Sequence, residues 1–276
     1  MKLQDRDFEV LAALERWGVM GLGQVDGLLF HKDVTGEERA RLFFNDIRRE
    51  DYWGRAYKRL SGLEKAGLVR VQRSDYTWPM YHLTGRGFEL VKRRGGTWFE
   101  TPGHGISARL LRHETLTVGV GLILTEMLGH KVSTARQTWN TLNKRFPHAQ
   151  DARLAMPDFL AGEGGDAPRH IIEVELSPKS RRRYREIFHS HRQRLRMMDA
   201  RILYLVDWPG GVEHIMRLGR KFEVSSVQAA QLSDFRAKLG RCEFAPSYYP
   251  GKPFVLRFGR PQTQEENPVQ AQGVAQ

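Results

Sequence analysis

Residues 156–195 read MPDFLAGEGGDAPRHIIEVELSPKSRRRYREIFHSHRQRL, and how this stretch divides decides the fold of the second half of the chain. Asp158 follows Pro157 and opens the apolar run Phe159-Leu160-Ala161, which the Gly-rich turn at 162–165 closes off as the first strand of a hairpin. The second strand is expected over 170–176, where alternation puts Ile172, Val174 and Leu176 on one face and Ile171, Glu173 and Glu175 on the other. Two carboxylates then share a face. Ser177 as N-cap and Pro178 at the first helical position make a helix start, so Lys179 and Arg181 to Arg183 fall in its first turns. Tyr184, Ile187, Phe188, Leu195 and Met198 supply its buried stripe.

Asp158, Glu173 and Glu175 offer hard oxygen ligands to Mg²⁺ or Mn²⁺, and Mg²⁺ takes few carboxylates, several waters and a substrate phosphate. A nearby ammonium, Lys179 first, would balance charge growing on that phosphate or orient the attacking water. The same pattern also suits the exposed residues of an edge hairpin beside a basic, solvated helix. Three acids facing one another with no cation would repel, which favours a metal or a paired Lys or Arg.

Domains of about 100–150 residues are typical, so a chain of 276 residues is expected to hold two. The boundaries are an N-terminal domain at 1–93, a Gly-, Pro- and Arg-containing linker at 94–105, an α/β domain at 106–240 and an extension at 241–276, disordered from about 260. Lys and Arg number 44 against 32 Asp and Glu, a net +12, which points to a polyanionic partner: double-stranded DNA first, an acidic membrane surface second. No apolar run reaches the ~20 residues of a spanning helix and the N-terminus lacks a secretory pattern, so a soluble, cytoplasmic protein is expected. The single cysteine, Cys242, excludes an intramolecular disulfide and a Cys-rich zinc site. Neither a G-x-x-x-x-G-K-[ST] loop nor a G-x-G-x-x-G after a strand is present, which argues against an NTPase or a dinucleotide enzyme.

Upstream, Asp5 is expected to cap a helix through Trp17 that buries Phe8, Leu11, Leu14 and Trp17. A short helix follows at 23–30, then an irregular charged insertion at 31–51. A third helix at 53–66 points Ala56, Leu60 and Leu63 inward and Arg55, Lys58, Arg59 and Lys65 outward. Extended segments at 68–73 and 80–83, joined by a turn with Ser74 and Asp75, lead to a short helix capped by Thr84 and reaching Val91. Three helices, a two-stranded wing and a helix make the winged variant of helix-turn-helix. The third helix would enter a DNA groove, with Arg70, Arg73 and Tyr76 of the wing on the neighbouring backbone. A small helical domain used for protein contacts is the other reading.

Downstream, an apolar helix at 106–128 runs through Leu110, Leu116, Val120, Leu124 and Met127 and carries His113 and Glu114, a pair that suits a buried capping element. A strand at 131–138, a loop at 142–155, a strand at 202–206, a helix at 212–220, a strand at 222–227 and a helix at 228–239 complete an α/β sandwich with at least one parallel crossover.

Two resemblances meet here. DRDFEVLAAL at 5–14, LLF at 28–30, YKRLSGLEKAGLVRV at 57–71 and YHLTGRGFELV at 81–91 resemble the winged-helix half of the replication-relaxation family of plasmid and mobile-element proteins. LLRHETLTV, PDFLA and IIEVEL resemble that family's second half, and the likeness covers about residues 5–207. The second half is also similar to the PD-(D/E)XK restriction-endonuclease-like fold. By that likeness Glu114 would be the helix acid, Asp158 the hairpin aspartate and Glu173 the strand acid. Two positions after Glu173 the pattern asks for Lys, and Glu175 stands there. With Glu175 as the strand acid the Lys position is Ser177, and Lys179, two further on, would take the role from the neighbouring helix, a migration that superfamily shows. A winged helix joined to a nuclease-like half resembles as well the MobC class of conjugative relaxases, which nick a transfer origin.

These resemblances imply a metal-dependent endonuclease or relaxase on mobile-element DNA, with Asp158, Glu173 and Glu175 as metal ligands and other transfer proteins as further partners. The third helix and Arg181, Arg182, Arg183 and Arg185 would hold the duplex. Tyr184 is available as a covalent nucleophile or as a packing residue. The rival is a non-catalytic DNA-binding accessory or transcriptional regulator with a degenerate nuclease-like domain.

Overall fold

A computed structural model describes residues 3–31, 33–45, 54–74, 77–95, 99, 106–139, 156–163, 169–195, 200–224, 226–241, 243–246 and 254–255. The first helix, α1 (Asp5–Trp17), is capped by Gln4, not by the expected Asp5: the Gln4 amide donates to Asp7 Oδ2 at 2.8 Å. Val10, Leu11, Leu14 and Trp17 are its buried apolar face, and Phe8 is only half-buried. Two-residue β1 (Met20–Gly21) leads into α2 (Leu22–Leu29). The expected irregular insertion instead contains α3 (Gly36–Phe43), whose N-cap Thr35 accepts from the Glu38 amide at 3.3 Å while its hydroxyl donates to the Glu38 carboxylate. Helix α4 (Gly54–Lys65) buries Ala56, Leu60 and Leu63 as expected. Strands β2 (Val69–Ser74) and β3 (Thr77–Leu83) pair antiparallel, with Val69 opposite Leu83, and β1 completes a sheet in the order β1-β3-β2. Thr84 caps α5 (Gly85–Arg93) by accepting from the Gly87 amide at 3.1 Å, and that helix runs two residues past its expected end.

Helix α6 (Ala108–Leu122) continues as a π-turn at Ile123–Met127. Leu110, expected in its buried stripe, is 51% exposed. Leu111, Thr115 and Val118 are the inward positions early in α6, while Leu116, Val120, Leu124 and Met127 face the core as expected. Strand β4 (His130–Thr134) is shorter than expected, because Thr134 turns the chain into a helical stretch at 135–139 by accepting from the Gln137 amide at 3.3 Å. The hairpin strands are β5 (Phe159–Glu163) and β6 (His170–Glu175). Helix α7 (Arg181–Leu195) starts later than Ser177-Pro178 suggests: the Ser180 hydroxyl accepts from the Arg183 amide at 3.2 Å, so Lys179 lies in the connector before the helix.

Strand β7 (Arg201–Val206) and helix α8 (Gly211–Lys221) match the expected elements closely. The last strand and helix do not. The strand expected at 222–227 is β8 (Val227–Gln231), and α9 (Leu232–Ala237) is correspondingly short. Gln228-Ala229-Ala230-Gln231 has helical propensity, yet pairing of Leu203 to Val206 with Gln228 to Gln231 draws it into the sheet. Strands β9 (Glu243–Pro246) and β10 (Phe254–Val255) finish the described elements. Asp75, Tyr76, the loop at 142–155, Met198, Cys242 and the tail from about 260 lie outside the described residues, as does most of the expected linker.

The larger sheet, seven strands among the described residues, runs β10-β9-β8-β7-β6-β5-β4. β6, β7 and β8 are parallel, so α7 and α8 are crossovers. β6 is therefore interior, which corrects the edge-hairpin alternative. Both its faces are covered: Ile172 and Val174 pack with the cluster that includes Val118 and Leu122 of α6 and Ile123 of the π-turn, and Ile171 packs with Tyr184 and Phe188 of α7. The first cluster also takes in Leu11, Trp17 and Phe43, so α1 to α3 share a core with the large sheet. Gln24 fastens this junction by donating to Phe43 O at 2.9 Å and Thr115 O at 2.7 Å.

Candidate functional site

Antiparallel pairing sets Phe159 opposite Ile172, which brings Asp158 to the carboxyl end of β6, where its Oδ2 accepts from the Val174 amide at 2.7 Å. From α6, His113 Nε2 reaches Val174 O at 2.9 Å and stands 3.6 Å from Asp158 Oδ2, while its Nδ1 is 3.8 Å from Glu114 Oε1. Burial works to lower the His113 pKa, but Asp158 and Glu114 together outweigh it and push it up to about 11, so the ring is cationic at neutral pH.

Glu173 is nearly enclosed, with Oε1 3.1 Å from His191 Nε2. Burial first, and then the Asp158 charge, hold its carboxyl well above the usual range, against the pull of Lys179, Arg194 and His113. Burial and then Arg194 push His191 down to about 3. Both shifts disfavour an ion pair, and neither Glu173 Oε1 nor His191 Nε2 has a hydrogen-bond partner among the described residues, so two buried polar atoms stand 3.1 Å apart. Glu175 is buried and paired with the Lys179 ammonium; burial raises its carboxyl pKa and Lys179 opposes that.

These groups line one cavity of about 520 Å³. Asp158, Glu173, Glu175, Lys179, His113 and Arg183 form its polar wall, and Leu110, Met156, Leu176 and Ile187 its apolar side. Four of the five residues expected to be catalytic meet here. The fifth, Glu114, opens into a neighbouring cavity that shares only Asp158 with the first.

The chain matches no known family model, no curated protein and no solved structure.

The expected DNA-contacting residues lie in two groups. Arg55, Lys58 and Lys65 are exposed on α4, Arg59 leans on the buried Asp7 at 3.5 Å, and Arg70 and Arg73 are exposed on β2. Arg181, Arg182, Arg183 and Arg185 are exposed at the start of α7, where Arg182 and Arg183 reach Glu186 at 3.3 and 3.2 Å. Tyr184 faces the other way: it is 1% exposed, packed against Phe188 and His214, and burial pushes its hydroxyl up to about 12. Packing is its role.

His113, His191 and Arg194 touch or bias the acids and were not singled out as site residues from the residue pattern. His191 had a signal, since it falls seven positions after Tyr184 in the apolar stripe of α7. Among the described residues no three His, Cys, Asp or Glu side chains are arranged to hold a metal ion. With Glu175 engaged by Lys179, the donor set is the pair Asp158 and Glu173, and one or two carboxylates completed by waters and a phosphate is the manner in which Mg²⁺ is usually held. Among the described residues no helix is long and apolar enough to cross a membrane.

Proposed function

We propose that this chain is a DNA-binding protein of mobile-element type, a winged helix joined to a PD-(D/E)XK-like half, and that the cavity around Asp158 cleaves a DNA phosphodiester with Mg²⁺ or Mn²⁺. One observation carries the reading: Asp158, Glu173, Glu175 and Lys179, from a hairpin and the connector after it, line a single cavity at the carboxyl end of a parallel strand. Open α/β sheets receive their ligands at such strand ends. Asp158 and Glu173 would hold the cation, whose chemistry when bound is to polarise the phosphoryl oxygens and lower the pKa of a water. His113 fixes and balances Asp158. Burial holds the Glu173 carboxyl pKa up, so cation affinity is expected to rise with pH. Lys179 neutralises charge accumulating on the phosphate, with Glu175 holding the ammonium in place of the strand lysine. The exposed arginines of α7 and the basic face of α4 supply sequence-independent grip on the backbone.

A second reading, a DNA-binding accessory or regulator without catalysis, is favoured by a different observation: Lys179 and His113 already balance two of the three acids. Calorimetric titration of Mg²⁺ or Mn²⁺ into the whole chain, beside duplex binding without metal, separates the two. The nuclease reading expects a binding heat that Asp158→Asn abolishes. Duplex binding with no cation heat in either metal overturns it in favour of the accessory.

A further inference from the structure

On the other flank of α6 lies a second cavity, of about 490 Å³, within the size range of small-molecule sites. Its wall combines Trp17, Trp139 and Phe159 with Arg16, Arg136 and Glu114. Phe159 meets the Trp17 ring edge-on at a centroid distance of 6.3 Å, and the Arg16 guanidinium lies 5.0 Å from the centroid of the same indole. Trp139 is half-buried at the end of the helical stretch 135–139, leaving part of its indole accessible. Asp158 lines this cavity and the acidic one alike, so a ligand here sits beside whatever binds the carboxylates.

The half-exposed Trp139 indole and the Glu114 carboxylate are what a nucleobase calls for, and Arg16, which donates to Val132 O at 3.4 Å, and Arg136, which lies over the Phe99 ring at 3.6 Å, make the surrounding wall cationic. A nuclease centre set deep at a sheet end reaches a backbone phosphate more easily when the adjoining nucleotide is unstacked. We propose that this second cavity takes one unstacked nucleobase of the DNA strand whose backbone crosses Asp158, with Trp139 as the stacking surface and Glu114 accepting from a base N–H. This rests on the DNA reading above and names the state of the substrate: a strand with a base turned out.

The test is fluorescence anisotropy of the whole chain with a labelled 12-nucleotide single strand and an abasic strand of equal length, in EDTA so that no cleavage intervenes, with a duplex measured in parallel. One stacked base should make the normal strand bind at least about five-fold tighter than the abasic one. Trp139→Ala should remove that preference and leave abasic-strand and duplex affinity within about two-fold. Should Trp139→Ala lower the melting temperature, Glu114→Gln serves instead and should narrow the spread of affinities among oligo-dA, oligo-dC and oligo-dT. Equal wild-type affinity for normal and abasic strands, or a preference that survives both substitutions, overturns the base pocket. If duplex binding persists in that case, the DNA reading stands without it; if neither duplex nor single strand binds, both fall together.

Discussion

At the scale of single residues, the exchange of roles between Glu175 and Lys179 has the sharpest consequences. Where the nuclease pattern has a strand lysine, this chain places a carboxylate and returns the ammonium from the connector, so the charge is kept and its origin moves by four residues. Lys179→Met should therefore lower DNA nicking by about 100-fold or more, the usual cost of removing one preorganised charge donor, while duplex affinity changes less than about three-fold. Nicking within ten-fold of wild type would remove Lys179 from the mechanism. Two buried histidines, His82 and His170, weaken the fold in acid, against raised groups such as His113 and Asp26 that act the other way. Burial, with Arg70 for His82 and with His130, Arg201 and Arg169 for His170, pushes both rings down to about 4. An unfolded histidine titrates near 6.5, so the unfolded chain takes up the extra protons. Stability is then complete above about pH 6.5 and falls as the pH drops toward 4, by roughly 1–2 kcal/mol per histidine once partial solvent access is discounted. Relative to its value at pH 7.5, the urea midpoint at pH 5 should be higher in His170→Gln than in wild type; an unchanged pH 5 to pH 7.5 difference would contradict it.

At the scale of elements, α6 joins the two halves through close approach. A β-carbon on Gly119 would lie 2.7 Å from Phe43 O, and one on Gly121 would run into the Trp17 ring. Alanine gains about 1 kcal/mol in helix propensity over glycine, yet overpacking costs about 1–3 kcal/mol. Since backbone cannot move aside as a flexible side chain can, Gly119→Ala is expected to lower the unfolding free energy by about 1–2 kcal/mol, measured by denaturant titration, and a stabilised variant would show that the junction is loose. Tyr184→Phe should leave nicking within about two-fold and yield no protein-DNA adduct on a denaturing gel, because the ring is a packing residue. The legible elements were those with a strong local period: α1, α4, β2, β3, β6 and α8 were all readable from spacing and capping. Others lacked it. α3 had only Thr35-x-x-Glu38 to announce it amid charge, α7 is capped by Ser180 and not by the expected Ser177, and β8 is a strand because β7 pairs with it. Only the first position of the α6 stripe departs, because Leu110 and Leu111 are adjacent and spacing alone does not choose which one faces the core.

At the scale of the whole molecule, the chain carries a net charge of +12, and α4 with β2 and the start of α7 each present a cluster of exposed basic side chains. Duplex affinity should fall steeply with salt, and replacing Arg55, Lys58 or Lys65 by Ala should each reduce the log-log slope by about 1. A slope unchanged by all three would move the contact surface away from α4. The acidic half of the candidate site was legible, because alternation alone puts Glu173 and Glu175 together and the Gly-rich turn returns Asp158 to their side. Its cationic half was not, apart from Lys179: His113, His191 and Arg194 arrive from helices whose docking no local pattern reveals. The central claim is that one cavity joins carboxylates to a cation-assisted cut. Nicking of supercoiled plasmid by wild type and Asp158→Asn, with Mg²⁺ or Mn²⁺ and with EDTA, tests it most directly. The account predicts open circles from wild type only in the presence of metal and none from Asp158→Asn, with duplex affinity retained. Nicking that survives Asp158→Asn, or a wild type that binds the plasmid and leaves it supercoiled in both metals, would contradict it.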